Sequence, residues 1–390
     1  MTPAARVQAA IDVLDLVIEA ARANGAPADR IITDWFRPRR FAGSKDRRAV
    51  RELAYRAIRA CGDMPASGRA AMLRLAAGDP EVTALFDGTR HAPQPIDPAE
   101  PVATSGVAPA WLMKRLAASG IGEIEARALL DRAPLDIRVN TLKAGCLSLP
   151  EGGERTVAAN GWRYPPETRI EDTDAYLSGA IEIQDTGSQL TCEVLAARPG
   201  EIVIDLCAGA GGKTLALAAA MEDQGRLIAC DSDRTRLSRL APRAQRAGVS
   251  RIETVLLDPG REAGELASFS GQADAVLVDA PCSGTGTWRR NPEARWRLTE
   301  RQLARYVETQ ARLLDIAAGL VRPGGRLVFV TCSLIDEEGA GQAEGFLQRH
   351  PGWLVRAPVL PVGAPRGSGL RLSPYRDGTD GFFVARFDLL

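Results

Sequence analysis

Short apolar runs rich in β-branched residues recur from about residue 184 onward: EIVIDLC, GRLIACD, RIETVLLD, ADAVLVDAP and GRLVFVTCS. Alanine- and arginine-rich helical segments separate them. A run that is apolar throughout suits a strand buried on both faces, and strands separated by helices suit a parallel sheet. This alternation predicts an α/β fold with a Rossmann-like, mostly parallel sheet. FFVARFDLL closes the chain as one more strand, and the DGTDGFF turn before it predicts a hairpin return, with an antiparallel strand at the sheet's edge.

The rest of the 390 residues is too much for one core and predicts further domains. Val7, Ile11, Leu14, Ile18 and Ala21 form one helical stripe, and Val50, Leu53, Ala57 and Ile58 form another. Residues 1–90 therefore read as a helical domain. The proline-rich stretch 91–108 reads as a linker. Residues 109–180 read as two helices followed by a small α+β module containing LDIRVNTLK, and residues 181–390 as the α/β domain. Asp12, Asp15 and Glu19 interrupt the apolar N-terminal stretch, which argues against a signal peptide. Seven cysteines without a C-x-x-C pair argue against a disulfide framework or a zinc cluster and for a reducing compartment. The expectation is a cytoplasmic monomer with neither metal nor membrane partner.

Net charge is zero, but its distribution is uneven. Between Arg30 and Arg59 ten Lys or Arg face three acids, and a second basic cluster, TWRRNPEARWRLTERQLAR, follows Cys282. Such blocks suit phosphate-binding faces, although solvated helix faces also produce them. Trp288 and Trp296 in the second cluster are candidates for base stacking or for packing.

In folds of this kind ligands collect beyond the carboxyl ends of the strands. The first strand ends in DLCAGAGGKT, where Gly209, Gly211 and Gly212 let backbone approach a ligand at a helix N-terminus. The second ends in Asp231, suited to accept ribose hydroxyls, and the third in Asp258, suited to an adenine amino group. Together these describe an adenosine pocket. They do not distinguish S-adenosylmethionine from a nicotinamide dinucleotide.

The fourth and fifth strands end in DAPCSGTG and TCS, each with a thiol followed by serine. A thiol at such a mouth becomes a nucleophile where positive charge or helix amides favour its thiolate. Carbon 5 of a pyrimidine is a poor nucleophile until a thiolate adds at carbon 6 and makes the ring an enamine. Asp279 is placed to bond the ring or its exocyclic amine. His91 and His350 are the only histidines and neither ends a strand, which disfavours histidine base chemistry and a Ser-His-Asp hydrolase.

DLCAGAGGKT, DAPCSGTG, TCS and the terminal DGFFVARF resemble the signature blocks of the Sun/Nop family of RNA (cytosine-5) methyltransferases. IRVNTLK and EIQDTGSQL resemble its preceding module and junction. The helical N-terminus with RRFAGSKDRRAVRELAYRAIR is similar to the NusB-like RNA-binding extension of the bacterial RsmB-like branch. The resemblance covers most of the chain. It implies a class I S-adenosylmethionine-dependent methyltransferase fold acting on RNA, most specifically 16S ribosomal RNA. It implies Cys332 as nucleophile, Cys282 in resolving the covalent adduct, Asp279 as the cytosine contact, and Lys213 in electrostatic support. DNA cytosine methyltransferases instead attack from the thiol of the Pro-Cys block. Cys207, Ala208, Gly209, Ala210, Gly211, Gly212 and Lys213, with Asp231, Arg236, Asp258 and Asp279, would hold S-adenosylmethionine. The family loop reads C-A-A-P-G-G-K; here Gly209 and Ala210 replace Ala-Pro, and losing that fixed φ predicts a more flexible turn. Action on DNA or tRNA, or a non-catalytic role as an RNA-binding ribosome assembly factor, are the alternatives.

Overall fold

The computed structural model describes residues 1–146 and 148–390. The chain forms two compact units, Met1–Asp131 with Thr287–Thr299, and Arg132–Gly286 with Glu300–Leu390. No helix among the described residues is long and apolar enough to cross a membrane.

The first unit is helical, with α1 (Pro3–Arg22), α2 (Ala28–Phe36), α3 (Ser44–Ala60) and α4 (Gly68–Ala76) as its main elements. The expected stripes form its core: Val7, Leu14 and Ile18 of α1 pack with Ile32, Val50, Ile58 and Met72. Gly68 permits α4 to cross α1 closely, since a Cβ there would lie 2.2 Å from the Ile11 carbonyl oxygen. The proline-rich stretch does not run free: Arg74 Nε donates to the Ala103 carbonyl at 2.6 Å, and Ser105 bridges to Cys61.

Thr287–Thr299, which sequence reasoning kept in the α/β domain, packs into this helical unit instead. Arg295 is fully buried and its Nη2 donates to the Ile58 and Cys61 carbonyls at 2.7 and 2.6 Å. Glu293 caps α2 by accepting from Ala28 N at 2.9 Å, and Arg297 Nη2 donates to the Ala26 carbonyl. Trp296 joins the core and Trp288 is fully buried, so both tryptophans are packing residues and offer no stacking surface. The second basic cluster divides: Arg289 and Arg295 are buried, Arg297 donates to the Ala26 carbonyl of the loop before α2, and Arg301 and Arg305 stay exposed. In the first cluster Arg37, Arg40, Lys45, Arg47, Arg48 and Arg51 do stay exposed.

The second unit carries two sheets. The small one runs β2–β3–β1–β4, built from β1 (Leu135–Val139), β2 (Glu154–Arg155), β3 (Gly161–Tyr164) and β4 (Ile181–Ile183), all antiparallel. The large one contains β5 (Ile202–Asp205), β6 (Arg226–Asp231), β7 (Ile252–Leu256), β8 (Ala273–Asp279) and β9 (Val321–Thr331). These five are the predicted runs, and they are parallel in the order β9–β8–β5–β6–β7. The pleat sorts their side chains: Val203, Ala275, Leu277, Val328 and Val330 enter one apolar layer, and Ile204, Val276, Val278, Leu327 and Phe329 the other. Helices cover both layers, the arrangement of a Rossmann-like class I methyltransferase. The C-terminal strand β13 (Phe382–Leu389) pairs antiparallel with β9 as expected. It is not the last strand, because β10 (Trp353–Arg356), β11 (Ala364–Arg366) and β12 (Gly369–Leu372) extend the antiparallel side beyond it.

Candidate active site

The strand order reverses around β5, and a crevice of about 690 Å³ opens beyond the carboxyl ends of the strands. It is lined by the Cys207–Ala210 loop, Gly212, Lys213, Asp231, Arg236, Asp279, Cys282 and Cys332, among others. Of the residues expected at the site, Gly211 and Asp258 are not among them: Gly211 turns towards Leu240, where a Cβ would lie 2.2 Å from Cδ1. Leu257 and Pro259 line the crevice, while Asp258 between them is exposed and its N–H donates to Glu265 at 2.9 Å.

Each strand end delivers one piece. After β5 the loop turns through Gly209 and Gly211, both with positive φ, into the helix Gly212–Ala220. Thr214 Oγ1 donates to Asp205 at 2.7 Å and ties that helix to β5. Burial pushes the Asp205 carboxyl up to about 7. A Cβ on Gly212 would meet nothing within 4 Å, so the backbone there faces open space. Asp231 at the end of β6 accepts from Gly209 N and from Asp233 N, both at 2.7 Å, so one carboxylate fastens the glycine loop and faces the crevice. The Gly209–Ala210 departure is compensated: Arg243 Nη1 donates to the Ala210 carbonyl at 2.6 Å, and Gly211 N to the Ala208 carbonyl at 2.9 Å. The freedom gained by losing the family's proline is restrained by hydrogen bonds rather than by a ring. This cradle of bare backbone, a helix N-terminus and an acid at the second strand end fits the adenosine part of S-adenosylmethionine.

Replacing Asp231 by Ala is expected to weaken binding of S-adenosylhomocysteine about 10- to 100-fold, since hydrogen bonds to a charged group contribute about 1.5–3 kcal/mol. Titration calorimetry checks this, and unchanged affinity would remove Asp231 from the cofactor site.

The other end of the crevice lies beyond β8 and β9. Lys213 Nζ donates to Asp279 Oδ2 at 2.7 Å. Burial opposes the Lys213 ammonium, but Asp279 and neighbouring thiols more than offset this and hold its pKa above the ordinary lysine range. Phe382, from the terminal DGFF block, sets its ring 5.4 Å from that ammonium. The Cys282 and Cys332 sulfurs are 3.3 Å apart, both partly exposed and both free. The hydrogen bond with Cys332 pushes the Cys282 thiol well up, and burial and the nearby Cys332 and Glu338 charges add to this.

The upstream junction also has a physical reading. Asp185 Oδ2 caps the helix Thr186–Leu195 through Gly187 N at 2.7 Å, while its Oδ1 accepts from Asp380 N at 3.0 Å. EIQDTGSQL and the DGFF block are therefore two halves of one joint. Sequence reasoning missed Tyr306, Thr309 and Arg312, which reach the crevice from the helix Glu300–Leu320, and Glu262, which pairs with Arg312 at 2.5 Å. Their polar spacing on an amphipathic helix looks like an ordinary solvated face. It missed Glu338 for a similar reason, since the run IDEEG reads as a solvated turn.

Comparison with known proteins agrees with this fold. The family described as 16S rRNA methyltransferase RsmB/F matches residues 192–388. The probable ribosomal RNA small subunit methyltransferase B of Synechocystis is 36% identical over 300 residues, which cover 71% of this chain and 66% of that relative, just under two thirds. Among solved structures, the protein PH0851 is 26% identical with a TM-score of 0.79 and 99% coverage of both chains. A methyltransferase homologue from Pyrococcus horikoshii is 28% identical with a TM-score of 0.59, covering 72% of this chain and 99% of its own. With its strand-end crevice, cofactor loop and paired thiols, the chain belongs to the RsmB/F family of 16S rRNA methyltransferases.

Proposed function

We propose that this chain methylates carbon 5 of a cytosine in RNA, with 16S ribosomal RNA as substrate, through a covalent bond between Cys332 and carbon 6. The observation that carries the reading is the contact of two sulfurs, 3.3 Å apart, beside the Lys213–Asp279 pair in the cofactor crevice. S-adenosylmethionine supplies the methyl group as an electrophilic carbon on its sulfonium. Cys332, near the Lys213 ammonium, attacks as a thiolate; the S–C6 bond forms and the ring's electrons move to carbon 5. Asp279, an acceptor already paired with Lys213, accepts a hydrogen bond from the exocyclic amine and orients the ring. After methylation, with S-adenosylhomocysteine as the leaving group, the C5 proton passes to solvent in the open crevice, the C5–C6 double bond re-forms, and the C6–S bond breaks to return Cys332 as thiolate. Cys282, within hydrogen-bonding reach of that sulfur, assists the last step.

The exposed basic face of residues 30–59 supports an RNA-binding, NusB-like role for the helical unit. Bisulfite mapping of total RNA from cells with and without the gene is expected to show loss of one 5-methylcytosine from 16S ribosomal RNA. An unchanged ribosomal map with a methylation lost from tRNA or DNA would overturn the substrate.

A further inference from the structure

Both active-site thiols are followed by serine, and the reason lies in a side chain behind the crevice. Glu338 ends the short turn Asp336–Glu338 after β9. Asp336 and Glu337 stay partly exposed, whereas Glu338 has no exposed surface. Its Oε1 accepts from Ser283 N at 2.8 Å and from Gln310 Nε2 at 3.1 Å. Its Oε2 bonds the Ser283 hydroxyl. Ser283 Oγ in turn lies 3.1 Å from Ser333 Oγ, which lies 3.2 Å from Thr285 Oγ1.

The protons of this chain have a direction. Leu334 N donates to Thr285 Oγ1 and Ile335 N donates to Ser333 Oγ, so both hydroxyls already accept and have a proton to pass on. With Glu338 as the terminal acceptor, its Oε1 accepting twice, the hydroxyls of Ser283, Ser333 and Thr285 hand donors along to it; burial pushes the Glu338 carboxyl up, and these donors oppose that and favour the carboxylate. Gln310 also donates to the Pro281 carbonyl at 2.9 Å, so the same side chain anchors the peptide just before Cys282. Glu338 thus grips the residue after Cys282 directly and the residue after Cys332 through one hydroxyl.

We propose that Glu338 is a positioning residue of this reaction: its carboxylate ties the two Cys-Ser corners together, fixing the separation of the two sulfurs, and sets a negative charge beside Cys282. The proposal rests on the methyltransferase reading above and adds to it a cause for the division of labour between two chemically identical groups. Lys213 acts on Cys332, Glu338 acts on Cys282, Asp279 and Cys192 face Lys213, and Tyr306 faces both sulfurs and Glu338. A negative charge beside one thiol and a positive charge beside the other favour one thiolate over the other. Cys282 then stays a hydrogen-bond donor to Cys332 and does not compete for carbon 6.

The test compares Glu338→Gln, which keeps the shape and removes the charge, with Glu338→Ala, which removes both. Iodoacetamide labelling of the full chain, followed peptide by peptide by mass spectrometry across pH, reads the two thiols without RNA or cofactor. In the unaltered chain Cys282 is expected to label only well above the ordinary thiol range. In Glu338→Gln the Cys282 midpoint is expected to fall by about one pH unit or more, because a nearby like charge no longer opposes the thiolate. A purely structural role would leave the Cys282 midpoint unmoved in this variant, and that result overturns the proposal. Glu338→Ala is expected to lower the turnover of methyl transfer at least about tenfold while S-adenosylhomocysteine affinity stays the same. Unchanged turnover with that affinity retained overturns the positioning role. If the midpoints shift as expected but no RNA is methylated by the unaltered chain, the substrate reading fails and Glu338 keeps its role.

Discussion

Cys332→Ala is expected to abolish methyl transfer to RNA, lowering turnover on the order of 10⁴- to 10⁶-fold, the range seen when a covalent nucleophile is removed. The size follows from the chemistry. Carbon 5 of cytosine attacks a methyl sulfonium only after a nucleophile has loaded carbon 6; of the other thiols lining this crevice, burial first of all pushes Cys207 well up, and Cys282 is the one in contact with Cys332. Serine at 332 is expected to fare little better, because an alcohol is far less acidic than a thiol. The side chain is partly exposed at the end of β9, so its loss creates no core cavity, and S-adenosylhomocysteine should bind as before. Three readings separate the cases: methyl incorporation, the melting temperature, and a covalent band with RNA carrying 5-fluorocytosine, whose C5–F bond blocks elimination. Full activity in Cys332→Ala, or a covalent band that persists, would transfer the nucleophile to Cys282.

What the sequence disclosed and what it hid divide along a physical line. The five parallel strands were legible because burial on both faces demands uninterrupted apolar runs, and β5, β6, β8 and β9 each carry one. The glycine loop and the two thiols were legible because they sit next to strand ends in the chain. The partners of those groups were not, because they arrive from elsewhere in the sequence with unremarkable composition. Glu338 sits in an acidic run, Arg243 lies in the arginine-rich stretch 234–251, and Phe382 looks like strand core. Asp258 misled for the opposite reason. It lies two residues beyond the end of β7, whose Leu256 is the residue in register with Asp231, and it turns to solvent at the outermost parallel strand. The arginine-rich cluster after Cys282 misled because composition cannot tell an exposed guanidinium from one sealed against helix-end carbonyls, as Arg295 is.

Cys282→Ala is expected to give the reverse signature of Cys332→Ala: RNA is attacked but not released. In the intact site the Cys282 thiol, kept protonated by its bond with Cys332, by burial and by the Glu338 charge, lies 3.3 Å from the sulfur that must leave carbon 6. A thiolate leaves more readily when a donor meets it, and general-acid assistance of this kind contributes roughly 10²- to 10⁴-fold. Alanine removes the donor without touching Cys332, Lys213, Asp279 or the glycine loop, so attack and methylation proceed and the C6–S bond then persists. The expected result is an RNA–protein band that survives denaturing electrophoresis, disappears with ribonuclease, and holds one methylated cytosine per chain. Turnover stops after that single event. The double variant Cys282→Ala/Cys332→Ala is expected to show no band, which ties the adduct to Cys332. A Cys282→Ala protein that turns over many times with no trapped species would leave the second sulfur without a part in release and its contact with the first unexplained.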